Sequence, residues 1–224
     1  MRSRLFRKIL ALARKEARIE LRSRAALGAQ FMFALVTLAV ISLAVGDSAL
    51  TPKLAAGLFW VTLFFGALTG VAHSFVKEED ARTAATLRAL ADADTVFWGK
   101  FLFNLLLALS QGALVTPLFF ALTGTAPQSA GVFALALLCG VVGLAGATTI
   151  VSAIVSQAAT RGALFTALAV PTILPLLLLL VDVTAGAFSG ASLAESLGGA
   201  LGLIAYCGLM LTVSTLLFEY VWRS

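Results

Sequence analysis

Residues able to do chemistry are few in this sequence of 224 residues. It has one histidine, His73, and two cysteines, Cys139 and Cys207. Their number and spacing exclude a His-paired metal site and a Cys–His nucleophile. The sequence also lacks a G-x-x-x-x-G-K-[ST] phosphate loop and an H-E-x-x-H motif. We therefore predict no catalytic residue, no metal and no cofactor bound by this chain, so uphill transport would take its energy from another chain.

The apolar composition predicts an all-α integral membrane protein. Hydrophobic residues make up 60% of the chain, charged residues make up 12%, and the mean hydropathy is +1.01. A bilayer core about 30 Å thick needs about 20 helical residues to cross it. Six runs reach that length, at residues 25–45, 54–76, 101–123, 130–155, 162–181 and 197–218. They predict one six-helix domain over residues 25–224, surrounded by membrane lipids, with no nucleic-acid partner.

Basic residues predict the orientation of these spans. With the N-terminus inside the cell, every Lys and Arg except Lys53 falls in an inner segment. Short loops rich in Lys and Arg remain in the cytoplasm. Both termini and the polar segment over residues 77–100 are therefore predicted to be cytoplasmic.

The first 24 residues predict an amphipathic helix lying on the inner membrane surface. Arg18 and Arg22 belong to a basic face suited to anionic headgroups, and apolar residues fill most of the remainder. Glu16 and Glu20 break the pattern, because both project from the apolar side. Either they pair with nearby Arg side chains at i,i+4, or they face a protein neighbour or an inner vestibule.

The polar segment over residues 77–100 predicts a short cytoplasmic helix at 81–91, with Asp80 as its N-cap. Its apolar side carries Ala84, Leu87, Leu90 and Ala91, and Arg88 lies elsewhere on the helix. Such a helix suits a docking surface for a partner, and the alternative is a helix on the lipid surface. The next helix is predicted to be capped by Asp94 or Thr95, with Trp98 at the membrane interface and Lys100 at headgroup level.

Within the spans, a few polar, glycine and proline positions deviate from the apolar background. Asn104 and Gln111 share one face of the third span, where amides either join helices or line a path. Gly140, Gly143 and Gly146 predict close helix packing, either within the subunit or across a dimer. Pro171 and Pro175 predict a bend in the fifth span, serving as a hinge for gating or simply as a shape.

Four stretches together resemble a known family: RKEARIELRSR, AAGLFWV, FVKEEDARTAATLRAL followed by GK, and TRGALFTALAVPTILPLLL. They are similar to the six-helix permeases of the ABC-2 exporter type. The narrower resemblance is to the haem exporter protein B family, the membrane subunit of the ABC transporter in c-type cytochrome maturation.

The resemblance implies a non-enzymatic permease of the bacterial inner membrane that pairs with itself and with two separate ATPase subunits. It implies a haem-handling membrane subunit and a periplasmic haem chaperone as further partners, with ATP on the ATPase and haem on those partners. ATP hydrolysis would drive release of the haem-loaded chaperone. The ATPase contacts are expected at Asp80, Ala84, Leu87, Arg88, Leu90 and Arg161.

One departure from the family pattern keeps alternatives open. The family's D-G-[ST]-L-E turn appears here as residues 82–88, RTAATLR, without the glycine and without the following acid. An ABC-2 permease for a lipid-linked or drug-like substrate is one alternative. A membrane scaffold that transports nothing is the other.

Overall fold

A computed structural model describes residues 2–46, 48–71, 91–156 and 161–223. Within these ranges the chain forms helices and short turns and contains no strand, which confirms the all-α prediction. The helices are α1 (Arg2–Ser23), α2 (Ala25–Val45), α3 (Pro52–Val71), α4 (Ala93–Thr123), α5 (Ala130–Ser156), α6 (Arg161–Ser189) and α7 (Leu197–Arg223).

Six of these helices, α2 to α7, are long and apolar enough to cross a membrane. The first matches the predicted span of residues 25–45 at both ends. By contrast, α4 begins at Ala93 with Asp92 as its N-cap residue, before the predicted caps Asp94 and Thr95 and eight residues before the predicted apolar span. Helices α6 and α7 also continue past the predicted spans, to Ser189 and Arg223. Hydropathy identifies only the part of a helix that is apolar, whereas backbone hydrogen bonding continues beyond it.

The helices alternate in direction, which gives the bundle two distinct ends. At one end, α1 lies beside the starts of α2 and α4, and the end of α7 meets the start of α4, where the rings of Phe97 and Phe218 are 5.5 Å apart. We call this the α1 end. At the opposite end, the backbone N–H groups of Gln128 and Ser129 both donate to the carbonyl oxygen of Ala187 at 3.0 Å. The loop before α5 is thereby tied to the end of α6.

Helix α5 forms the centre of the bundle and packs against α4, α6 and α7. From Gly140 to Ser156 every residue is buried except Val142 and Ile154, which are partly buried. Its glycines admit neighbouring side chains, because a Cβ at Gly140 would collide with the Trp60 ring of α3. The Trp60 ring nitrogen donates to Thr184 Oγ1 of α6 at 2.8 Å, so the indole joins three helices.

Candidate functional site

The predicted ATPase-coupling residues fall largely outside the described residues. Asp80, Ala84, Leu87, Arg88 and Leu90 all lie in the range 72–90, as does the lone His73. Arg161 begins α6, but its side chain is outside the described part of the chain. The structure therefore describes the helix that follows the polar segment, α4, and the elements that hold α4 in place.

The start of α4 packs against α1 through one close apolar contact and one buried ion pair. A Cβ built on Gly99 would lie 2.6 Å from Leu12 Cδ2, so Leu12 packs directly onto the α4 backbone. One residue further, Lys100 Nζ lies 3.5 Å from Glu16 Oε1. We call these four residues the α1–α4 clamp.

The ion pair in the clamp explains how a lysine can be buried. The Lys100 side chain is fully buried, whereas the Glu16 side chain retains 10% exposure. Lys15 also approaches Glu16, with its Nζ 3.1 Å from the same carboxylate oxygen, and its own side chain is 45% exposed. Burying an unpaired ammonium group would be costly, and the Glu16 carboxylate offsets that cost. Lys100, predicted at headgroup level, is thus enclosed by protein.

Glu20 has a different role, because it caps the start of α2. The chain turns sharply at Arg24, whose φ of 55° lies in the left-handed region. Glu20 Oε1 then accepts the backbone N–H groups of Ala26 at 2.6 Å and Leu27 at 3.0 Å. A carboxylate at this position satisfies donors that have no partner within α2, and it complements the helix dipole. The corner between α1 and α2 is therefore fixed by a side chain of α1.

These contacts show what the two out-of-pattern acids of α1 meet in the fold. Glu16 pairs with Lys100 of α4, and Glu20 accepts backbone N–H groups of α2. Both acids face neighbouring helices of the same chain. Arg18 and Arg22, by contrast, are exposed on the outer side of α1.

A line of buried polar side chains runs along α4 from the clamp toward the middle of the bundle. Its members are Lys100, Asn104 and Gln111, which we call the polar seam, and all three are buried. Asn104 Nδ2 donates to Thr149 Oγ1 of α5 at 2.7 Å. Gln111 Nε2 donates to the Thr62 carbonyl of α3 at 3.2 Å.

Gln30 of α2 joins the seam from the opposite side, where its Nε2 donates to Gln111 Oε1 at 2.6 Å. The seam amides therefore link α2, α3 and α5 to α4, which corresponds to the helix-joining alternative. Gln30 Oε1 and Asn104 Oδ1 accept no hydrogen bond from the described residues. Both amide oxygens are thus buried acceptors without a protein donor in this part of the chain.

The glycines and prolines singled out from the sequence take different environments. A Cβ at Gly143 would lie 2.5 Å from Leu176 Cδ2 of α6, and one at Gly146 would lie 3.1 Å from Leu211 Cδ2 of α7. Both glycines therefore pack within this subunit. Pro171 and Pro175 are exposed, and α6 continues through both of them.

Sequence reasoning missed Gly99 and Gln30. Gln30 is the lone amide in the first span, so the rule applied to Asn104 would have found it. Gly99 carries no such signal, because its importance depends on Leu12 of a distant segment. The same holds for Thr184, which is apparent only once Trp60 is seen beside it.

A second carboxylate cap lies at the opposite end, before α7. The Ser192 N–H donates to Glu195 Oε2 at 2.6 Å, and the Glu195 N–H donates to Ser192 Oγ at 3.3 Å. This reciprocal pair is a capping box. The Ser192 hydrogen bonds lower the pKa of the exposed Glu195 below its ordinary value of 4.5.

Metal ligands and catalytic groups do not come together in this arrangement. Within residues 2–46, 48–71, 91–156 and 161–223, no three His, Cys, Asp or Glu side chains are grouped as metal ligands. Cys207 Sγ donates to the Cys139 carbonyl oxygen at 3.1 Å, and both thiols are free. What the described residues offer is a buried polar linkage between α4 and four other helices, α1, α2, α3 and α5.

Comparison with known families finds a match that covers most of this chain. The family model described as CcmB protein matches residues 7–219, a range that includes most of α1 and all six long apolar helices except the last residues of α7. A search of curated proteins found no match.

Proposed function

Because the chain belongs to the CcmB family, which supplies a haem exporter permease component in cytochrome c maturation, we propose that it couples ATP hydrolysis to release or export of a haem-loaded chaperone. Family membership makes the chain a multi-pass membrane protein and part of an ABC transporter complex. The hydrolysis itself takes place on a separate ATPase subunit. The family match over residues 7–219 is the observation that carries this proposal.

The α1–α4 clamp supports a route for the coupling. The polar segment that docks the ATPase leads into α4 at Ala93, and the clamp lies one to two turns further along that helix. A displacement of the segment therefore moves α1 and α4 together, because Leu12 and Glu16 hold the two helices in contact. The amides of the polar seam then pass the displacement to α2, α3 and α5.

The assembly we propose contains two copies of this chain and two ATPase subunits, with a haem-handling membrane subunit and a periplasmic haem chaperone. Haem resides on those partners and ATP on the ATPase. The composition supports this division, because a single histidine and two cysteines offer few axial ligands for haem iron, and the Cys207 thiol already donates to a backbone carbonyl.

In this proposal the chain resides in the bacterial inner membrane with both termini and residues 77–100 in the cytoplasm. The distribution of basic residues supports the orientation, because only Lys53 would lie outside. In a variant lacking the native cysteines, a cysteine introduced at Arg88 should react with an impermeant maleimide only after the inner membrane is opened. Labelling in intact spheroplasts would show that residue 88 lies outside the cytoplasm and that the proposed orientation is wrong.

The proposed function is tested at the docking segment. Leu87→Ala combined with Leu90→Ala removes two apolar anchors, which costs on the order of 2–5 kcal/mol when such anchors are central to an interface. We expect the double variant to insert normally, to lose the copurifying ATPase and to lose stimulation of ATP turnover. A milder, salt-sensitive loss is expected for Arg88→Glu.

The matched control replaces two exposed leucines at the opposite end, Leu193→Ala with Leu197→Ala, whose side chains are 57% and 52% exposed. This control should retain the ATPase. If the docking variant retains the ATPase as tightly as the control does, the segment is a surface helix and the coupling proposal is wrong. Absence of any ATPase from the unmutated chain's native complex would favour a scaffold.

A further inference from the structure

A groove opens between α1, α2 and α4, beside the corner at Arg24. It has a volume of about 180 Å³. Its walls include Ala17 and Leu21 of α1, Leu27 of α2, and Phe103, Leu106 and Ser110 of α4. The groove lies next to the point where the surface helix α1 meets the first span, which corresponds to the boundary between lipid headgroups and hydrocarbon.

The interior of this groove is apolar, although Glu20 borders it. One carboxylate oxygen of Glu20 is turned toward the backbone N–H groups of Ala26 and Leu27, and the surface exposed inside the groove is apolar throughout. Phe103 is buried at the base, with 7% exposure. Leu21 and Leu106 at the rim are 63% and 54% exposed, so the groove opens outward.

Positive charge lies directly beside this apolar groove. Arg14 precedes Ala17 by three residues, and Arg18 precedes Leu21 by three residues. Residues at i and i+3 are neighbours on a helix surface, so each arginine is adjacent to a groove wall. Both arginines are exposed. An occupant that satisfies both features has an apolar chain joined to an anionic group at the membrane interface.

We propose that the groove binds one acyl chain of an anionic phospholipid, whose phosphate lies against Arg14 and Arg18. The volume admits part of one chain and excludes a whole lipid or a large planar ligand. The headgroup remains at the membrane surface, where guanidinium groups bind phosphate in a bidentate manner. This binding site is independent of ATP coupling, so it holds whether or not the docking segment binds an ATPase.

The test uses the full chain, purified in detergent and examined by native mass spectrometry. Dioleoyl phosphatidylglycerol and dioleoyl phosphatidylcholine, offered at equal concentration, are the probes. We expect phosphatidylglycerol to bind preferentially to the unmutated chain. Arg14→Gln with Arg18→Gln should lower that preference roughly tenfold, because each basic residue near the surface contributes to anionic-lipid binding.

Two variants fill the groove from opposite walls, and one variant controls for charge. Ala17→Leu and Ser110→Leu should each lower binding of both lipids, and circular dichroism checks that the variants remain folded. Lys8→Gln removes an exposed positive charge from α1 more than two turns away from Ala17 and should leave the preference unchanged.

Three results would overturn the assignment. One is an equal loss of preference in Lys8→Gln, which would show general attraction to the basic helix. Another is unchanged lipid binding in both folded groove-filling variants. The third is conversion of a dimer to a monomer by those variants at constant lipid binding, which would make the groove a contact between copies of the chain.

Discussion

Helices α1 and α5 both pack against α4, yet they are held by opposite kinds of interaction. α5 is enclosed by protein from Gly140 onward, and its glycines bring the Trp60 ring and Leu176 close to its backbone. α1 lies at the periphery and is held by Leu12 on Gly99 and by the ion pair between Glu16 and Lys100. The α5 contacts depend on shape, whereas much of the α1 contact depends on charge.

The kind of contact determines how easily each helix can be displaced. Close packing has few alternatives, because a displaced core side chain loses many contacts at once. An ion pair with a second partner available is easier to rearrange. Glu16 already has Lys15 within 3.1 Å, so its carboxylate keeps a partner when α1 shifts, and the cost of the shift falls on the contact with the buried Lys100. We therefore expect α5 to behave as the fixed element and α1 as the adjustable one.

The largest expected effect comes from overfilling the α5 interface. Gly143→Leu places a branched side chain where even a Cβ would lie 2.5 Å from Leu176 Cδ2 and 3.3 Å from Cys207 Sγ. We expect a loss of more than about 3 kcal/mol in unfolding free energy, seen as loss of folded protein on size exclusion. Gly131→Leu on the same helix is the control, because a Cβ there meets nothing within 4 Å. Equal yields of folded protein from the two variants would show that close packing at Gly143 does not stabilise the bundle.

An intermediate effect is expected at the clamp. Lys100→Met leaves Glu16 with Lys15 and should weaken the attachment of α1 by about 2 kcal/mol, less than for a fully buried, isolated pair. Hydrogen–deuterium exchange should rise in α1 while α5 remains protected.

The control for the clamp is Lys15→Met, because the exposed half of the interaction should contribute less than about 1 kcal/mol. Combining Lys100→Met with Glu16→Gln should restore part of the protection, since no buried charge then remains unpaired. If hydrogen–deuterium exchange in α1 rises equally in the Lys15 and Lys100 variants, burial of the ion pair has no special role in holding α1.

The smallest effect is expected at the carboxylate caps, where Glu195 can be compared with Glu20. Glu20 caps α2 from another helix and is 3% exposed, whereas Glu195 caps the turn that precedes α7 and is exposed. Because the pKa of Glu195 is lowered, its stabilising contribution is complete above 4.5 and is lost as the pH falls through that lowered pKa.

Glu195→Gln should therefore reduce thermal stability slightly at neutral pH, and its difference from the unmutated chain should vanish at acidic pH. The measurement compares the melting temperatures of the variant and the unmutated chain between about pH 3 and about pH 7, the range in which a carboxyl group titrates. A difference that grows on acidification would show that the Ser192 hydrogen bonds do not favour the ionised form.

The spans could be predicted from the sequence because hydropathy is a local property. The first span, Ala25–Val45, matches its helix at both ends, since apolar residues begin just after Arg24 and end at Gly46. The start of α4 could not be predicted in this way. Lys100 resembles a loop residue until Glu16 is seen to neutralise it, and the two are separated by two complete spans.

The polar positions divide in the same manner. The common face of Asn104 and Gln111 follows from helical periodicity, so their burial could be expected. Their partners, Thr149 and Thr62, depend on how helices pack and are not encoded at any fixed spacing. Glu16 and Glu20 were recognisable as exceptions to the α1 pattern, but which helix each would meet was not.

The clamp can form only after α2, α3 and the start of α4 have been synthesised. α1 leaves the ribosome first, yet its partners Gly99 and Lys100 emerge only after α2 and α3. At about 5–20 residues per second, several seconds separate the two events. During that interval Glu16 has no α4 to contact, and α1 rests on the bilayer by its apolar side. A nascent chain released before α4 therefore displays a basic surface helix whose Glu16 still lacks the Lys100 contact of the finished protein.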